Sequence, residues 1–249
     1  MSVHHVACSD FKDISWLSLP DCSYKDDIAV FRFDLVEGAF VSPYLTSLLQ
    51  PDEINRAERY HRSEDRKRFI HSRGILRILA GNYTAQAPDQ IRFIKGPNKK
   101  PALAGDTGWH INVSHSGGWA LFAIGQVSVG VDVEKINPGF SFQEILPASF
   151  SPEEQAYING ETDAYQRFYQ LWTRKEAFVK ATGKGMDEDF FRIPSLTGLH
   201  AAESRLLGGS GNWNVGSFEV ASGYSAAVAY QELPEIPKFY ALNSVLFNR

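Results

Sequence analysis

Residues 109–135 read WHINVSHSGGWALFAIGQVSVGVDVEK, and this stretch decides which fold class the chain can adopt. Three runs rich in β-branched and aromatic residues, 109–116, 119–125 and 127–135, are separated only by Gly-Gly and by one glutamine. Strand-forming runs with such short breaks are typical of antiparallel strands joined by tight turns. The stretch therefore predicts an antiparallel meander of three strands.

Strands and long helices alternate on either side of this stretch. Residues 28–35, IAVFRFDL, alternate weakly and predict a strand. A polar, helix-favouring segment begins at Pro51 and carries an apolar stripe as far as the stop signal Gly81-Asn82. A second long helix is predicted from Asp163 to Thr182. Long helices and hairpins in one chain predict an α+β protein.

The same order of elements occurs twice along the chain. RFIHSRGILRILAG (68–81) precedes the hairpin-forming INVSHSGGWALFAIG (111–125). RFYQLWTRKEAFVKATG (167–183) precedes SFEVASGYSAAVAY (217–230), which predicts a second hairpin. Each unit is a helix that opens on Arg-Phe, followed by strands rich in small residues. We expect two related α+β halves, with chance recurrence of helix–hairpin units as the alternative.

Composition places the chain among ordinary globular proteins. It has 249 residues, of which 43% are hydrophobic and 22% charged, so it is long enough for one large domain or two small ones and is neither disordered nor fibrous. Its two cysteines, Cys8 and Cys22, are too few for a disulfide framework and indicate a reducing compartment. No segment resembles a membrane span or a signal peptide, so we expect a cytoplasmic protein.

The net charge of −4 hides a basic segment inside an acidic chain. Residues 52–100 contain twelve Lys and Arg against six Asp and Glu, whereas the rest contains 13 basic and 23 acidic residues. Such a segment favours an anionic ligand or partner docked at one place. The alternative is a solvated helix face of mixed charge.

The hexapeptide GVDVEK (130–135) is the strongest local feature. Side chains alternate between the faces of a strand, so Asp132 and Glu134 share one face while Val131 and Val133 share the other. Two adjacent carboxylates repel each other, and a divalent cation such as Mg²⁺ would offset that repulsion. A strand that emerges into solvent with a polar face is the alternative.

A second feature lies on the predicted helix over LWTRKEAFVKATGKG (171–185). Glu176 and Lys180 are four residues apart on one helix face, in the favourable order for an ion pair. A surface ion pair alone would stabilise the fold little. Combined with Asp132 and Glu134, however, Glu176 could be a third oxygen donor or a general base, and Lys180 could neutralise phosphate charge.

The segment NVSHSG (112–117) contains Ser114 and His115. A serine beside a histidine suggests a nucleophile and its base. Adjacent residues of a strand point to opposite faces, however, so these two side chains are poorly placed to bond each other. An anion-binding role at the end of the strand is the more natural interpretation. No Cys/His cluster, P-loop or dinucleotide fingerprint occurs, which argues against zinc and against those nucleotide folds.

These three segments, in this order, resemble the 4′-phosphopantetheinyl transferases, specifically the long Sfp-type branch. That family shows N-x-S-H-S, then G-[VI]-D-[VI]-E, then W-x-x-K-E-[AS]-x-x-K, which read here NVSHS (112–116), GVDVE (130–134) and WTRKEAFVK (172–180). Two further matches lie upstream of these segments. They are the pair Lys100-Pro101 and the helix residues Arg68, Phe69, Arg73 and Arg77. The resemblance covers roughly residues 28–235.

The resemblance implies a fold and a reaction. The fold consists of two similar α+β halves related by pseudo-twofold symmetry, here residues 1–125 and 126–249, with the active site in the cleft between them. The first half would supply coenzyme A phosphate contacts, and the second the metal-binding carboxylates and the catalytic helix. The reaction moves the phosphopantetheine arm of coenzyme A onto a serine of an apo acyl or peptidyl carrier protein and releases 3′,5′-ADP.

The resemblance also implies roles for individual residues. Asp132, Glu134 and Glu176 match Mg²⁺ ligands. Glu176, Lys180 and Asp132 form the catalytic set, in which Glu176, directly or through a metal-bound water, is the base on the carrier serine. The residues that match coenzyme A contacts are Arg68, Arg73, Lys100, Ser114, His115 and Lys180. A monomer that binds neither nucleic acid nor membrane is expected.

The chain departs from the family pattern in two places. The family often has Gly before the Lys-Pro pair, where this chain has Lys99. Basic residues that some members place before the Arg-Phe helix align poorly, which leaves the clamp on the 3′-phosphate unassigned. Two other functions stay open, a Mg²⁺-dependent phosphohydrolase and a degenerate coenzyme A- or carrier-binding module, although the intact acidic set with Lys180 argues against the latter.

Overall fold

Eleven strands and seven α-helices form within the residues that the computed structural model describes, which are 4–18, 26–36, 42–96, 100–160, 162–208, 211–233, 236–243 and 247. The strands are β1 (His4–Asp10), β2 (Ile28–Asp34), β3 (Phe93–Lys95), β4 (Pro101–Leu103), β5 (His110–Ser116), β6 (Trp119–Gly125), β7 (Val129–Lys135), β8 (Gly198–Ala202), β9 (Trp213–Phe218), β10 (Tyr224–Gln231) and β11 (Lys238–Leu242). The helices are α1 (Pro43–Ser47), α2 (Pro51–Glu58), α3 (Ser63–Thr84), α4 (Leu146–Ser149), α5 (Pro152–Ile158), α6 (Ala164–Thr182) and α7 (Ser204–Leu207). The α+β class predicted from the sequence is confirmed.

Two sheets carry most of the strands. The five-stranded sheet has the order β7-β10-β9-β1-β8, and the four-stranded sheet has the order β11-β2-β6-β5. The hairpins predicted for β5–β6 and β9–β10 are both present and antiparallel. The strands β3 and β4 form a separate two-stranded sheet. Each large sheet therefore contains one of the hairpins that the sequence indicates.

The predicted three-stranded meander is wrong at its third strand. Strand β7 does not pair with β6; it pairs antiparallel with β10, with Asp132 opposite Ala227. Val131 and Val133 are buried in a cluster that joins the two sheets. A strand with one apolar face satisfies its burial pattern in either sheet, so alternation along the chain does not select the pairing partner.

The two halves repeat one pairing scheme. In the first, strand β2 is followed by helix α3 and the hairpin β5–β6, and β2 pairs antiparallel with β6. In the second, β7 is followed by helix α6 and the hairpin β9–β10, and β7 pairs antiparallel with β10. This repetition agrees with the duplication seen in the sequence, while the pseudo-twofold axis and the division after residue 125 stay predictions.

The terminal strands exchange between the sheets. Strand β1 runs parallel to β9 in the five-stranded sheet, and β11 runs parallel to β2 in the four-stranded sheet. Nothing in the local sequence of β1 or β11 indicates these distant partners, because register over such separations is set by tertiary packing.

The elements stack in four layers, with each sheet covered by one long helix. Helix α3 packs on the four-stranded sheet through a cluster that includes Leu76 and Phe122. Helix α6 packs on the five-stranded sheet through a cluster that includes Phe178 and Ala227. The remaining faces of the sheets bury each other. Neither long helix, nor any other helix in the described ranges, is long and apolar enough to cross a membrane.

Helix α3 continues past its predicted stop at Gly81-Asn82 and ends at Thr84. A left-handed residue, Ala85, caps it. A Cβ at Gly81 would lie 2.7 Å from the carbonyl oxygen of Gln86, so this glycine makes room for the chain that folds back over the helix end. A glycine inside a helix can thus mark a close approach rather than a stop.

A buried glutamate ties the long helix to a shorter one in each half. Glu53 Oε2 accepts the backbone N–H that caps α2 and bonds Nη2 of Arg77 on α3 at 2.6 Å. Glu154 Oε2 accepts the N–H that caps α5 and pairs with Nζ of Lys175 on α6 at 2.9 Å. Because a buried charge is tolerated only when paired, these contacts fix the position of each long helix relative to its neighbour.

We expect Val133→Asp to unfold or aggregate the protein. Val133 is fully buried between the sheets, and an unpaired carboxylate there would cost on the order of several kcal/mol. Leu199→Asp on β8 is the matched control, since Leu199 is 70% exposed on a strand. Thermal melting by circular dichroism compares the two variants. A Val133→Asp protein that melts with the wild type would contradict the packing of β7 between the sheets.

Candidate active site

Helix α6 crosses strand β7 at Gly130 with no side chain between them. A Cβ built at Gly130 would overlap Ala177 O and would lie 2.9 Å from Ala181 Cα. Only glycine allows this approach, and the alanines on the facing helix turns keep the gap small. The contact brings Glu176 and Lys180, each next to one of these alanines, beside β7.

The alternation predicted along β7 is confirmed. Val131 and Val133 are fully buried between the sheets. Asp132 is 2% exposed and Glu134 is half-buried, and both line a cleft on the opposite face. The strand therefore presents its two carboxylates together toward helix α6 and toward the residues across the cleft.

The cleft has a volume of about 510 Å³ and lies where the two predicted halves meet. Its lining comes from the α2–α3 region, from the start of β4, from β5, from β7 and from α6. The lining residues are Arg56, Tyr60, Asp65, Arg68, Phe69, Ser72, Arg73, Leu76, Pro101, Val113, Ser114, His115, Asp132, Glu134, Trp172, Glu176 and Lys180. The lining on α2 and α3, here called the arginine wall, carries Arg56, Arg68 and Arg73, and the lining on β7 and α6, the carboxylate wall, carries Asp132, Glu134 and Glu176.

Lys180 supplies the positive charge closest to the carboxylates. Its Nζ lies 2.6 Å from Asp132 Oδ1 and 3.0 Å from Ser114 Oγ. Ser114 also donates its hydroxyl to Asp132 Oδ1 at 2.8 Å. The other oxygen, Oδ2, is buried and has no hydrogen-bond partner among the described residues. Half of the Asp132 carboxylate is therefore still unsatisfied.

Burial and mutual repulsion raise the proton affinity of the remaining carboxylates. Burial first, and then the charge of Asp132, raise the pKa of Glu176 to about 7. The same two causes, in the same order, raise the pKa of Glu134 above its usual range. A cationic ligand in this cleft would reverse both effects.

These carboxylates share a cleft but do not form a closed metal cage. No group of three His, Cys, Asp or Glu side chains is close enough to hold a metal ion in the part of the chain that the structure describes. The donors nevertheless fit a hard cation: Asp132 Oδ2 is an orphaned buried oxygen, and Glu134 and Glu176 line the same cleft. Asp132, Glu134 and Glu176 could therefore hold Mg²⁺.

The arginine wall is basic, and some of its polar groups have no hydrogen-bond partner in the described part of the chain. Arg68 pairs with Asp65 at 3.1 Å, and Arg73 lies 3.7 Å from Glu53. Arg73 Nη1 is buried without a partner in the described ranges, and the same holds for the hydroxyl of Ser72. Unpaired donors on residues that line a cleft favour an anionic ligand, which agrees with the prediction from the charge of residues 52–100.

The sequence interpretation missed several cleft residues, among them Arg56 and Tyr60. Arg56, whose guanidinium lies 5.0 Å from the Phe69 ring centroid, and Tyr60 both line the cleft from the end of α2. Their only signal in the sequence is membership of the basic segment, which does not distinguish cleft residues from the solvated face. Arg66 and Lys67, for example, belong to the same segment but do not line this cleft.

Lys100 lies outside the cleft that holds the other predicted anion contacts. Its Nζ donates to Val129 O at 3.1 Å and to Ala181 O at 3.2 Å, and burial lowers its pKa to about 8. It lines two neighbouring pockets rather than the carboxylate cleft, and one of them also contains Glu176 and Lys180. Lys99, where the family pattern departs, lies outside the described residues.

The predicted Ser–His separation is confirmed. Ser114 faces Asp132 and is buried, while His115 lies on the other face of β5, is exposed and lines the cleft. Arg174 and the motif residue Lys175 are buried on α6 and bond other parts of the protein instead of lining the cleft. The helix also carries Arg167, Gln170 and Glu176, so no local signal in the sequence identifies the two buried cations as anchors.

Comparison with known families matches both halves of the chain. The model described as "4′-phosphopantetheinyl transferase superfamily" matches residues 128–229. The model described as "4′-phosphopantetheinyl transferase, N-terminal" matches residues 42–126. The two matched stretches meet between β6 and β7, on either side of the cleft.

Curated relatives give the same result. The 4′-phosphopantetheinyl transferase HetI of Nostoc sp. is 32% identical over 180 residues, which is 69% of this chain and 76% of the relative. The 4′-phosphopantetheinyl transferase Sfp of Bacillus subtilis is 29% identical over 199 residues, 76% of this chain and 86% of the relative. The L-aminoadipate-semialdehyde dehydrogenase-phosphopantetheinyl transferase of Mus musculus is 30% identical over 159 residues, 58% of this chain and 52% of the relative.

The ordered motifs, the two-walled cleft that they build and the match of both halves to one family lead to the same conclusion: this chain is an enzyme that belongs to the 4′-phosphopantetheinyl transferase superfamily.

Proposed function

We propose that the enzyme transfers the 4′-phosphopantetheine arm of coenzyme A to a serine of an apo acyl or peptidyl carrier protein and releases 3′,5′-ADP. The observation that carries the proposal is the cleft with an arginine wall on one side and a carboxylate wall on the other. Coenzyme A bears a pyrophosphate and a 3′-phosphate, so it needs several cations, whereas a transferred phosphoryl group needs a metal or a lysine near the reacting oxygens.

Asp132, Glu134 and Glu176 would hold Mg²⁺. Their oxygens are the ligand type that Mg²⁺ prefers, and Asp132 Oδ2 is buried without a partner in the described part of the chain. When bound, the ion neutralises charge on the pyrophosphate oxygens. Lys180, now held by Asp132 and Ser114, can turn toward the same oxygens, because its side chain is only partly buried.

The arginine wall would bind the phosphates of coenzyme A at the end away from the pantetheine arm. Arg68, Arg73 and His115 line that wall, and Arg56 extends it. The unpartnered Nη1 of Arg73 supports this role most directly. Ser114 and Lys100 belong to the proposal as well, although each would have to exchange a present hydrogen bond for one to phosphate.

Glu176 is the proposed base. Its carboxylate would accept the proton of the carrier serine, for which it must be ionised. The pKa of about 7 applies to the metal-free enzyme, and a bound cation would lower it, which keeps the carboxylate ionised near neutral pH. The serine oxygen then bonds to the phosphorus that carries the pantetheine arm. The bond from that phosphorus to the bridging oxygen breaks, and 3′,5′-ADP leaves with the electron pair.

The proposal extends to the setting of the enzyme. We propose that it works as a monomer in the cytoplasm, with residues 1–125 as the coenzyme A half and residues 126–249 as the catalytic half. The low cysteine content supports the reducing compartment. The placement of the arginine wall on α2 and α3, and of the carboxylates on β7 and α6, supports the division of labour.

Incubation with coenzyme A, Mg²⁺ and an apo carrier protein should increase the carrier mass by one phosphopantetheine group. Asp132→Ala should abolish this transfer without lowering the melting temperature, because it removes a ligand and also relieves carboxylate repulsion. Asp106→Ala, an exposed aspartate in the β4–β5 loop, is the control and should transfer normally. Mass spectrometry and thermal melting give the two readouts.

Two results would contradict this assignment. Release of 3′,5′-ADP from coenzyme A without a carrier, and without any mass shift when one is added, would favour the phosphohydrolase. An Asp132→Ala protein that melts far below the wild type yet transfers normally per folded molecule would show that the aspartate is structural.

Mg²⁺ binding should weaken as the pH falls below 7. Glu176, whose pKa is about 7 in the metal-free enzyme, must lose its proton before it can ligate. One proton lost from a group with this pKa predicts about ten-fold weaker affinity at pH 6 than at pH 8. Isothermal titration calorimetry measures the Mg²⁺ affinity at both pH values, and the affinity of Glu176→Gln should differ less between them. Equal wild-type affinities at the two pH values would exclude Glu176 as a ligand.

Arg73→Ala should weaken coenzyme A binding about ten-fold or more, because a charge-assisted hydrogen bond contributes roughly 1.5–3 kcal/mol. The loss should be smaller for dephospho-coenzyme A, which lacks the 3′-phosphate. The control is Arg92→Ala, an exposed arginine of the same basic segment. Calorimetry that gives wild-type affinity for Arg73→Ala would remove this residue from the site.

A further inference from the structure

Side chains, rather than a backbone ladder, join the two sheets beside the active site. Strand β5 is the edge of the four-stranded sheet, and β7 is the edge of the five-stranded sheet. Alternate residues of β5 reach across to β7 through hydrogen bonds of 2.7–2.8 Å. The pairs are Asn112 with Val131, Ser114 with Asp132, and Ser116 with Glu134. For Ser114 and Ser116, the period of two in β5 matches the period of two of Asp132 and Glu134 in β7.

The hydroxyl of Ser116 has a defined direction. Its oxygen accepts the backbone N–H of Lys135 at 3.1 Å, and its hydrogen is donated to Glu134 Oε2 at 2.7 Å. A hydroxyl has one hydrogen to donate, and the backbone donor of β7 leaves the carboxylate as its acceptor. The chain of bonds therefore runs from the backbone through Ser116 to one oxygen of Glu134.

The position of Ser116 is itself fixed by contacts with the second half. The turn that follows it begins at Gly117, whose φ is +54° and whose Cβ position would be 3.0 Å from Lys135 Cδ and in overlap with Tyr224 Oη. The backbone N–H of Gly118 donates to Tyr224 Oη at 2.9 Å. No side chain larger than hydrogen fits at Gly117, so the turn, and Ser116 with it, is held against β7 and β10.

Ser114 and Ser116 differ in what they can reach. Ser114 lines the cleft and contacts Lys180 as well as Asp132, so it can exchange partners with a ligand. Ser116 does not line the cleft, and it bonds the Glu134 carboxylate from outside the cleft. Any effect of Ser116 on chemistry in the cleft must therefore pass through the Glu134 carboxylate.

We propose that Ser116 is a positioning residue for Glu134, a role that rests on the proposed Mg²⁺ site. By holding Oε2, the hydroxyl fixes the rotamer of a side chain that would otherwise turn away from Asp132 under charge repulsion. The carboxylate is then already oriented when a cation arrives, so less side-chain entropy is lost on binding. Hydrogen-bonded groups behind a ligand commonly change metal affinity by about 10–100-fold.

The test is Mg²⁺ binding by the metal-free, full-length enzyme, measured by isothermal titration calorimetry. Ser116→Ala should bind Mg²⁺ about ten-fold more weakly than the wild type, at the lower end of the range for such groups. Ser116→Thr keeps the hydroxyl and should restore most of the affinity. Ser63→Ala is the matched control, because it removes another serine–glutamate bond, from Ser63 Oγ to Glu64 Oε1 at 3.1 Å, on an exposed helix start. It should bind as the wild type does.

The outcomes separate this inference from the function on which it rests. Equal affinity in Ser116→Ala and the wild type would overturn the positioning role while leaving the metal site intact. Equal loss in Ser116→Ala and Ser116→Thr, with lowered melting temperatures in both, would also overturn it, since the serine would then be only structural. A wild-type enzyme that binds no Mg²⁺ at all would overturn the three-carboxylate site, and the role of Ser116 with it.

Discussion

The close approach of helix α6 to strand β7 at Gly130 is the contact on which the cleft depends. Without a side chain at this position, the helix backbone lies directly on the strand, and Lys180 reaches Asp132 at 2.6 Å. A Cβ at this position would overlap Ala177 O and Ala181 N, so any larger residue would force the helix away from the strand. The glycine of the G-V-D-V-E motif is therefore as necessary to the chemistry as its acidic residues, although it touches no ligand.

The second determinant is the repulsion between carboxylates that the fold holds close together. Asp132, Glu134 and Glu176 line one cleft, and burial together with the charge of Asp132 raises the pKa values of the two glutamates. Such an arrangement is unfavourable for the empty protein and becomes favourable only when positive charge enters. The rigid supports around it, which are the β5–β7 side-chain bonds and the buried Glu154–Lys175 pair, prevent the carboxylates from moving apart. Stability is thus given up locally to prepare a binding site.

Much of the fold and of the candidate site could be predicted from local patterns in the sequence. The rest depends on contacts between residues that are distant in sequence. Period-two alternation assigned the faces of β7, and helical spacing placed Glu176 with Lys180, because both rules act within a few residues. The pairing of β7 with β10, the engagement of Lys100 by two backbone carbonyls and the cleft position of Arg56 follow from contacts between elements that no local pattern encodes. The buried pairs of Arg77 and Lys175 were hidden for the same reason, since a cation inside a helix has the same spacing whether it faces water or a glutamate.

The exchange of terminal strands has a consequence for how the molecule assembles. Strand β1 completes a sheet whose other strands come from the second half, and β11 completes a sheet from the first half. Neither half can finish its sheet until both ends of the chain have been synthesised and brought together. The parallel pairing of β1 with β9 closes a loop of roughly 200 residues, which carries a large entropic cost and slows folding. A fragment cut between the halves would expose an unpaired sheet edge open to aggregation. The two sides of the cleft therefore fold together, as one cooperative unit.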